Sequence, residues 1–172
     1  KSYVRVLNSP SLHSDTVTVE AWVQGRAPQG PFRYLLAKGV HSEDAASYAF
    51  FTGRRSGGLA FYIFDGADAA ISPDPGAGIW DGKWHHAAGT FDGATVRLYI
   101  DGKQVENGTP TALKIEHNLS TTNDLFIGTY LWPGIKGFIG SIDELSIYDR
   151  PLSPSEIEQI YRAGSAGKSN GP

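Results

Sequence analysis

The sequence predicts an all-β domain that ends in one short helix, and three observations lead to this prediction. Two runs of β-prone residues are closed by Asp92-Gly93 and Asp101-Gly102, pairs that reverse a chain because glycine adopts a positive φ at little cost. Short apolar runs recur along the chain, and 21 glycines and 10 prolines separate them. Near the C-terminus, Ser153-Pro154-Ser155-Glu156 is typical of a helix start.

Within the apolar runs, alternate residues are expected to face the core and the opposite side of a sheet. The expected core-facing residues of the three clearest strands are Val17, Val19, Ala21 and Val23; Leu59, Phe61 and Ile63; and Val96, Leu98 and Ile100. The residues on their opposite faces are Thr18, Glu20 and Trp22; Ala60, Tyr62 and Phe64; and Arg97 and Tyr99. The opposite faces are therefore rich in aromatic and charged side chains.

The C-terminal helix is expected to begin with Ser153 as its N-cap and Pro154 at its first position, and Glu156 completes a capping box. Its apolar stripe, which should dock on a sheet, consists of Ile157, Ile160 and Tyr161. We expect one domain over residues 1–164, because β-sandwiches of this length usually have a single core. The small polar residues of 165–172 predict a linker or tail, typical of a module within a longer protein.

Two segments resemble a known family. Residues 84–93 (WHHAAGTFDG) and 140–153 (GSIDELSIYDRPLS) are similar to the hairpin and the closing segment of laminin-G-like domains of the bacterial type. The likeness extends from Tyr3 to about Gly164. It implies a concanavalin A-like jelly-roll sandwich of two antiparallel sheets with a short C-terminal helix. It also implies a secreted or cell-surface domain that binds a ligand, since members of this family seldom catalyse reactions.

The composition of the chain limits the classes of binding partner that it can have. The chain has 15 lysines and arginines against 18 acidic residues and no basic cluster, so nucleic acid is a poor candidate partner. No apolar run reaches the roughly 18 residues of a membrane span, so we expect no membrane partner. Cysteine is absent, which excludes disulfides, thiolate metal sites and thiol nucleophiles. We therefore expect a monomeric module whose partner is a polysaccharide or glycan.

The outer faces of the strands offer the first candidate site residues. Tyr62, Arg97 and Tyr99 together would suit a sugar, because pyranose rings stack on aromatic rings while their hydroxyls need fixed polar partners. The alternative is that these side chains lie under loops or in a second packed layer.

The loops supply the other candidates. Tyr130 and Trp132 stand in a Pro-Gly turn, where small polar residues are usual, and the resemblance does not require a tryptophan at Trp80. Burial against the sandwich edge is the alternative for the turn residues. Trp84, in contrast, matches the family pattern and is expected in the core.

Asp143 is the candidate metal ligand. Alternation places it on the same side as Leu145 and Ile147, so its carboxylate should be near the core and need a partner there. Backbone amides or one of His85 and His86 could supply that partner. A structural Ca²⁺ could do so instead, since many domains of this fold carry one.

No catalytic motif is found. Asp143 and Glu144 are adjacent and point in opposite directions on a regular strand, unlike the facing carboxylates of a glycosidase. No nucleophile elbow, phosphate-binding loop or dinucleotide fingerprint occurs. The expected function is a non-catalytic carbohydrate-binding module, appended to a secreted carbohydrate-active enzyme or surface protein. The alternative is a protein-adhesion or spacer domain of a bacterial surface protein.

Overall fold

The computed structural model describes residues 2–41, 45–53, 56–118, 122–130 and 136–164. In chain order its strands are β1 (Val4–Val6), β2 (Val17–Arg26), β3 (Arg33–Val40), β4 (Tyr48–Thr52), β5 (Leu59–Phe64), β6 (Ala69–Ile71), β7 (Asp81–Phe91), β8 (Thr95–Ile100), β9 (Lys103–Gln104), β10 (Thr109–Pro110), β11 (Thr122–Ile127), β12 (Lys136–Gly137) and β13 (Gly140–Tyr148). The helix α1 (Pro154–Ala163) follows β13, and short 3-10 turns lie at Pro10–Leu12 and Ala77–Ile79. In the described part of the chain, no helix is long and apolar enough to cross a membrane.

The strands form two sheets. A seven-stranded sheet has the order β1-β11-β3-β4-β5-β6, with β12 also paired to β3. A six-stranded sheet has the order β10-β8-β7-β2-β13, with β9 also paired to β8. All described pairings are antiparallel except that of β12 with β3. The predicted sandwich of two antiparallel sheets with a short C-terminal helix is confirmed.

The core lies between the two sheets and is built by the predicted alternation. Every residue expected to face the core in β2, β5 and β8 does so, and Ile100 at the end of β8 is the one that is only partly buried. Gly89 of β7 lies against the ring of Phe61, where a Cβ atom would overlap the ring. Absence of a side chain at this position therefore lets the two sheets approach each other.

The predicted turns have the expected chemistry. Asp92 Oδ1 accepts hydrogen bonds from the amides of Ala94 and Thr95, at 2.9 and 2.8 Å, and Gly93 has a φ of 90°. These contacts close the hairpin of β7 and β8. Asp101 and Gly102 both have positive φ, 51° and 76°, in the tight turn from β8 to β9.

Helix α1 covers part of the outer face of the six-stranded sheet. Its capping box is formed as predicted, with Ser153 Oγ accepting from the Glu156 amide and the Glu156 carboxylate accepting from the Ser153 amide. Ile157 is fully buried and packs with Ala88 and Tyr99 of the sheet. The helix thus removes Tyr99 from the solvent.

A lysine is buried at one end of the sandwich. The Lys38 side chain is fully buried, and Nζ donates to Asn8 Oδ1 at 3.1 Å and to the backbone oxygen of Asn123. Burial lowers the pKa of Lys38 to about 8, although the nearby carboxylate of Asp124 acts in the opposite direction. Asp124 itself pairs with Arg5. An ammonium group is therefore held in the fold with neutral direct partners.

Candidate functional site

The outer face of the seven-stranded sheet is aromatic. Such a face usually carries polar residues when it meets water. Here the side chains that cluster on it, away from the main core, are Tyr34, Ala37, Val40, Ala46, Ala49, Phe51, Ala60, Tyr62, Phe126 and Tyr130. Phe32 and Phe64 are partly buried and pack against this cluster. The cluster residues are themselves buried, so the aromatic surface of this face that stays open to a ligand is that of Phe32 and Phe64.

The rings of this face hold one another in place. Tyr34 stacks on Tyr130 with a centroid distance of 4.4 Å, and Phe51 lies 5.8 Å from Tyr34 and 5.2 Å from Tyr62. The Tyr62 hydroxyl accepts from the amide of Ala46 at 3.0 Å, and burial raises the pKa of Tyr62 well above its usual range. Tyr62 is therefore a neutral phenol whose hydroxyl is fixed by a backbone amide.

A groove of about 500 Å³ runs over these rings. Its floor is made by Tyr34, Phe51 and Tyr62, which are nearly fully buried. The walls are more open and include the half-buried Phe32 and Phe64 and the exposed Asp68, Ala69 and Ile71. The arrangement offers an apolar groove with the carboxylate of Asp68 at its edge.

The structure places two of the predicted site residues on this face. Tyr62 lies in the groove floor, and Tyr130 is buried beside Tyr34 with its hydroxyl donating to the Ala45 backbone oxygen at 2.5 Å. The third residue predicted near them, Trp132, lies outside the described residues.

Arg97 and Tyr99 do not join Tyr62, so the prediction of one shared face is wrong. They lie on β8 of the six-stranded sheet, whereas Tyr62 lies on β5 of the seven-stranded sheet, and their outer faces are on opposite sides of the sandwich. Tyr99 is buried near α1, and Arg97 pairs with Asp92 at 2.5 Å. Alternation along single strands cannot show which sheet a strand joins.

Trp80 is in the core rather than at the surface. It is 3% exposed, its ring lies 5.3 Å from that of Phe138, and Nε1 donates to the backbone oxygen of Gly57 at 2.7 Å. The turn at Ala77–Ile79 leads into Trp80 and accepts its backbone N–H at Ala77, while the Gly57 carbonyl satisfies the indole N–H. Trp80 is therefore not available to a ligand.

Asp143 is exposed, so the prediction that it lies near the core is wrong. A β-bulge interrupts the pairing of β13 with β2 between Asp143 and Ser146, and Glu144 has a φ of 51°. The extra residue changes the face on which the following side chains lie. Ile142 and Leu145 consequently both face the core, and Asp143 points outward.

His85 and His86 contact carboxylates other than that of Asp143. His85 Nδ1 lies 2.8 Å from Asp101 and Nε2 lies 3.2 Å from Asp81. Partial burial lowers the pKa of His85, but the two carboxylates raise it by more, so it lies above its ordinary value. His86 Nε2 instead lies 3.1 Å from Glu20, with both side chains fully buried. The two histidines thus have separate partners, as strand alternation requires.

The described residues do not assemble a calcium shell around Asp143. Calcium prefers six to eight oxygen ligands. Across the described ranges, no three histidine, aspartate or glutamate side chains come together as metal ligands.

Trp84 is the tryptophan that the sequence reasoning misplaced. It was expected in the core but is 42% exposed. With Trp22, Asp143, Glu144 and Gly164 it lines a second pocket, of about 320 Å³, on the six-stranded sheet. Counting back by twos from His86 and Ala88, which face outward, places Trp84 on the outer face, so the signal was present in the sequence.

A family model described as the concanavalin A-like lectin/glucanases superfamily matches residues 1–158. The chain belongs to this superfamily. The chain is 31% identical to the rat protein "Sushi, von Willebrand factor type A, EGF and pentraxin domain-containing protein 1" over 88 residues, which are 46% of this chain. The match spans only 2% of that relative's length.

Solved structures share the fold. A proposed carbohydrate binding protein from Bacteroides ovatus superposes with a TM-score of 0.70 at 15% identity, over 94% of this chain and 45% of that one. The Ruminococcus gnavus IT-sialidase CBM40 superposes with a TM-score of 0.67 at 17% identity, over 86% and 83% of the two chains. At these identities, both likenesses are likenesses of fold.

Proposed function

We infer that this superfamily member is a non-catalytic glycan-binding module and that its ligand lies in the groove of the seven-stranded sheet. The observation that supports this most is the aromatic outer face itself. Tyr34, Phe51 and Tyr62 are nearly fully buried and support the groove from beneath, while the partly exposed Phe32 and Phe64 present the ring surface that a ligand can contact. Aromatic rings of this kind pack on the C–H faces of pyranose rings.

The size and polarity of the groove fit this inference. Its volume of about 500 Å³ lies in the range of small-ligand sites, roughly 300 to 1,000 Å³. Asp68 at the edge can accept hydrogen bonds from sugar hydroxyls. The tyrosine hydroxyls at Tyr62 and Tyr130 are already bonded to backbone groups, so they shape the groove rather than read the ligand.

The wider setting is part of the same proposal. One of the structural neighbours is named for carbohydrate binding and another is a module of a sialidase, which supports a glycan ligand for this chain. We place the domain in a secreted or cell-surface protein, where it would hold its parent protein on a polysaccharide. Calcium stays a proposal, since domains of this fold often carry it.

The test is affinity electrophoresis of the protein through a panel of polysaccharides, with calcium and with a chelator. The key variant is Ala69→Trp, which fills the groove from an exposed wall position. The control is Ala94→Trp, which adds the same bulk to the exposed hairpin turn on the other sheet.

We expect at least one polymer to slow the migration of the unaltered protein and of the Ala94→Trp variant. The Ala69→Trp variant should migrate in that polymer as it does without polysaccharide. Equal mobility in all polymers, with calcium present, would overturn glycan binding and favour adhesion or spacing. Retardation that Ala69→Trp leaves unchanged would overturn the groove as the site. Loss of retardation in chelator would assign a calcium requirement.

A further inference from the structure

The second pocket lies on the sheet opposite the groove, and strand register brings its residues together. In the six-stranded sheet, Trp22 of β2 is directly opposite Asp143 of β13 on one side and His86 of β7 on the other. Trp84 is two residues before His86, so it shares their outer face and lies diagonally from Trp22. Helix α1 ends beside this pocket, which Gly164 helps to line.

Two neighbouring rings, those of His86 and Tyr161, contact the Trp22 side chain. Its ring meets the edge of His86 with a centroid distance of 5.5 Å and lies 5.9 Å from Tyr161 of α1. His86 is itself fixed by its contact with the fully buried Glu20. Trp22 is therefore a supported ring, and the exposed Trp84 adds a second indole surface to the same pocket.

The bulge in β13 brings two carboxylates to these rings. Asp143 and Glu144 are both exposed and line the pocket with the tryptophans. The Glu144 amide donates to Asp143 Oδ1 at 2.8 Å, which orients the first carboxylate. On a regular strand these neighbours would point to opposite faces, so the pocket depends on the bulge for its two negative charges.

We propose that this pocket is a second glycan site, separate from the groove, and that it takes a pyranose carrying a protonated amine. An indole face stacks on the sugar ring and also attracts a nearby cation. Asp143 and Glu144 provide the complementary negative charge for the ammonium group, and the same charge repels uronates and other acidic sugars.

The neighbouring surface extends the site beyond one sugar. A shallow depression of about 350 Å³ continues along the same strands and is lined by Gln24 and Ser141, among others. Gln24 pairs with Trp84 on one side and with Ser141 on the other. The Gln24 and Ser141 side chains can bond hydroxyls of a next unit, although Gln24 Nε2 already donates to the Gly82 backbone oxygen at 2.9 Å. The Arg26 guanidinium in the same depression disfavours a second ammonium group there.

The experiment is calorimetric titration of the protein at about pH 6, where free hexosamines are protonated. Three probes are compared: a glucosamine tetramer, the N-acetylated tetramer and a galacturonate tetramer. The site variants are Trp84→Ala and the double variant Asp143→Asn/Glu144→Gln. Tyr3→Ala is the control, since it removes another exposed aromatic ring, one that adjoins β1 of the other sheet.

We expect the glucosamine tetramer to bind at least about tenfold more tightly than the acetylated tetramer, and the galacturonate tetramer not to bind. Trp84→Ala should weaken glucosamine binding about tenfold or more, and the double variant should abolish the preference for the free amine. Tyr3→Ala should bind as the unaltered protein does.

Two results would overturn the proposal. One is the absence of glucosamine binding, and the other is binding that Trp84→Ala and the double variant leave unchanged. Ala69→Trp separates this site from the groove, because it should keep glucosamine binding even where it loses the polymer of the electrophoresis panel. Failure of the groove proposal would therefore not affect glucosamine binding at the Trp84 pocket, and failure of glucosamine binding would not affect the groove proposal.

Discussion

Burial of Lys38 makes a prediction about stability and pH. The folded protein lowers the pKa of this lysine from 10.5 to about 8 because its side chain is buried. The unfolded chain therefore binds more protons than the folded one between these two pKa values. Stability consequently rises with pH across this window, since folding is then no longer opposed by burial of the charge.

The size of the effect follows from the shift. One pKa unit corresponds to about 1.4 kcal/mol, so the full contribution of Lys38 is about 3.5 kcal/mol, of which about 2.5 kcal/mol is recovered between about pH 7 and 10. Other groups titrate as well: Tyr48 and Tyr62 have raised pKa values when folded, so they remove stability as the pH rises above about 10. A comparison with Lys38→Met isolates the lysine, because both proteins share the tyrosines.

The assay is urea unfolding of both proteins at steps from about pH 7 to 10. The free energy of unfolding of the unaltered protein should rise relative to Lys38→Met by about 2 to 3 kcal/mol. The lost hydrogen bonds to Asn8 and Asn123 shift the variant by a constant amount, which does not change this trend. A difference between the two proteins that stays flat with pH would refute the reasoning.

Two further predictions concern the core and the helix. Gly89→Ala should lower the free energy of unfolding by about 1 to 3 kcal/mol in urea titrations, because its methyl group would overlap Phe61. Gly78→Ala, with open space around the added atom, is the control and should stay within about 0.5 kcal/mol. Ser153→Ala should cost about 1 kcal/mol by removing the cap that bonds the Glu156 amide, seen as a lower melting temperature by circular dichroism. An unchanged melting temperature would contradict this account of the cap.

Local patterns in the sequence predicted much of the fold. The alternation in β2, β5 and β8 was enough to assign their core faces, because a regular strand has a period of two. The capping box at Ser153 was predicted for a similar reason, since its contacts lie within four residues.

The candidate sites depended on information that single strands do not carry. Tyr62 and Tyr99 were grouped because both face outward, yet the pairing of distant strands puts them on different sheets. Asp143 was assigned to the wrong face because a bulge adds one residue, and a shift of one residue exchanges the two faces of a strand. Alternation from Ala88 places Trp84 on the outer face, whereas the family pattern predicts it in the core.

The most direct test of the central proposal is an amide chemical-shift titration. The ligand is an oligosaccharide of the polymer that retards the protein most. We predict that the largest shifts fall on the amides around the groove, in β3, β5 and β6, including Tyr34, Tyr62 and Ala69. The amides of the hairpin β7–β8 should shift little. Largest shifts on that hairpin, or no shifts at saturating ligand, would contradict glycan binding in the groove.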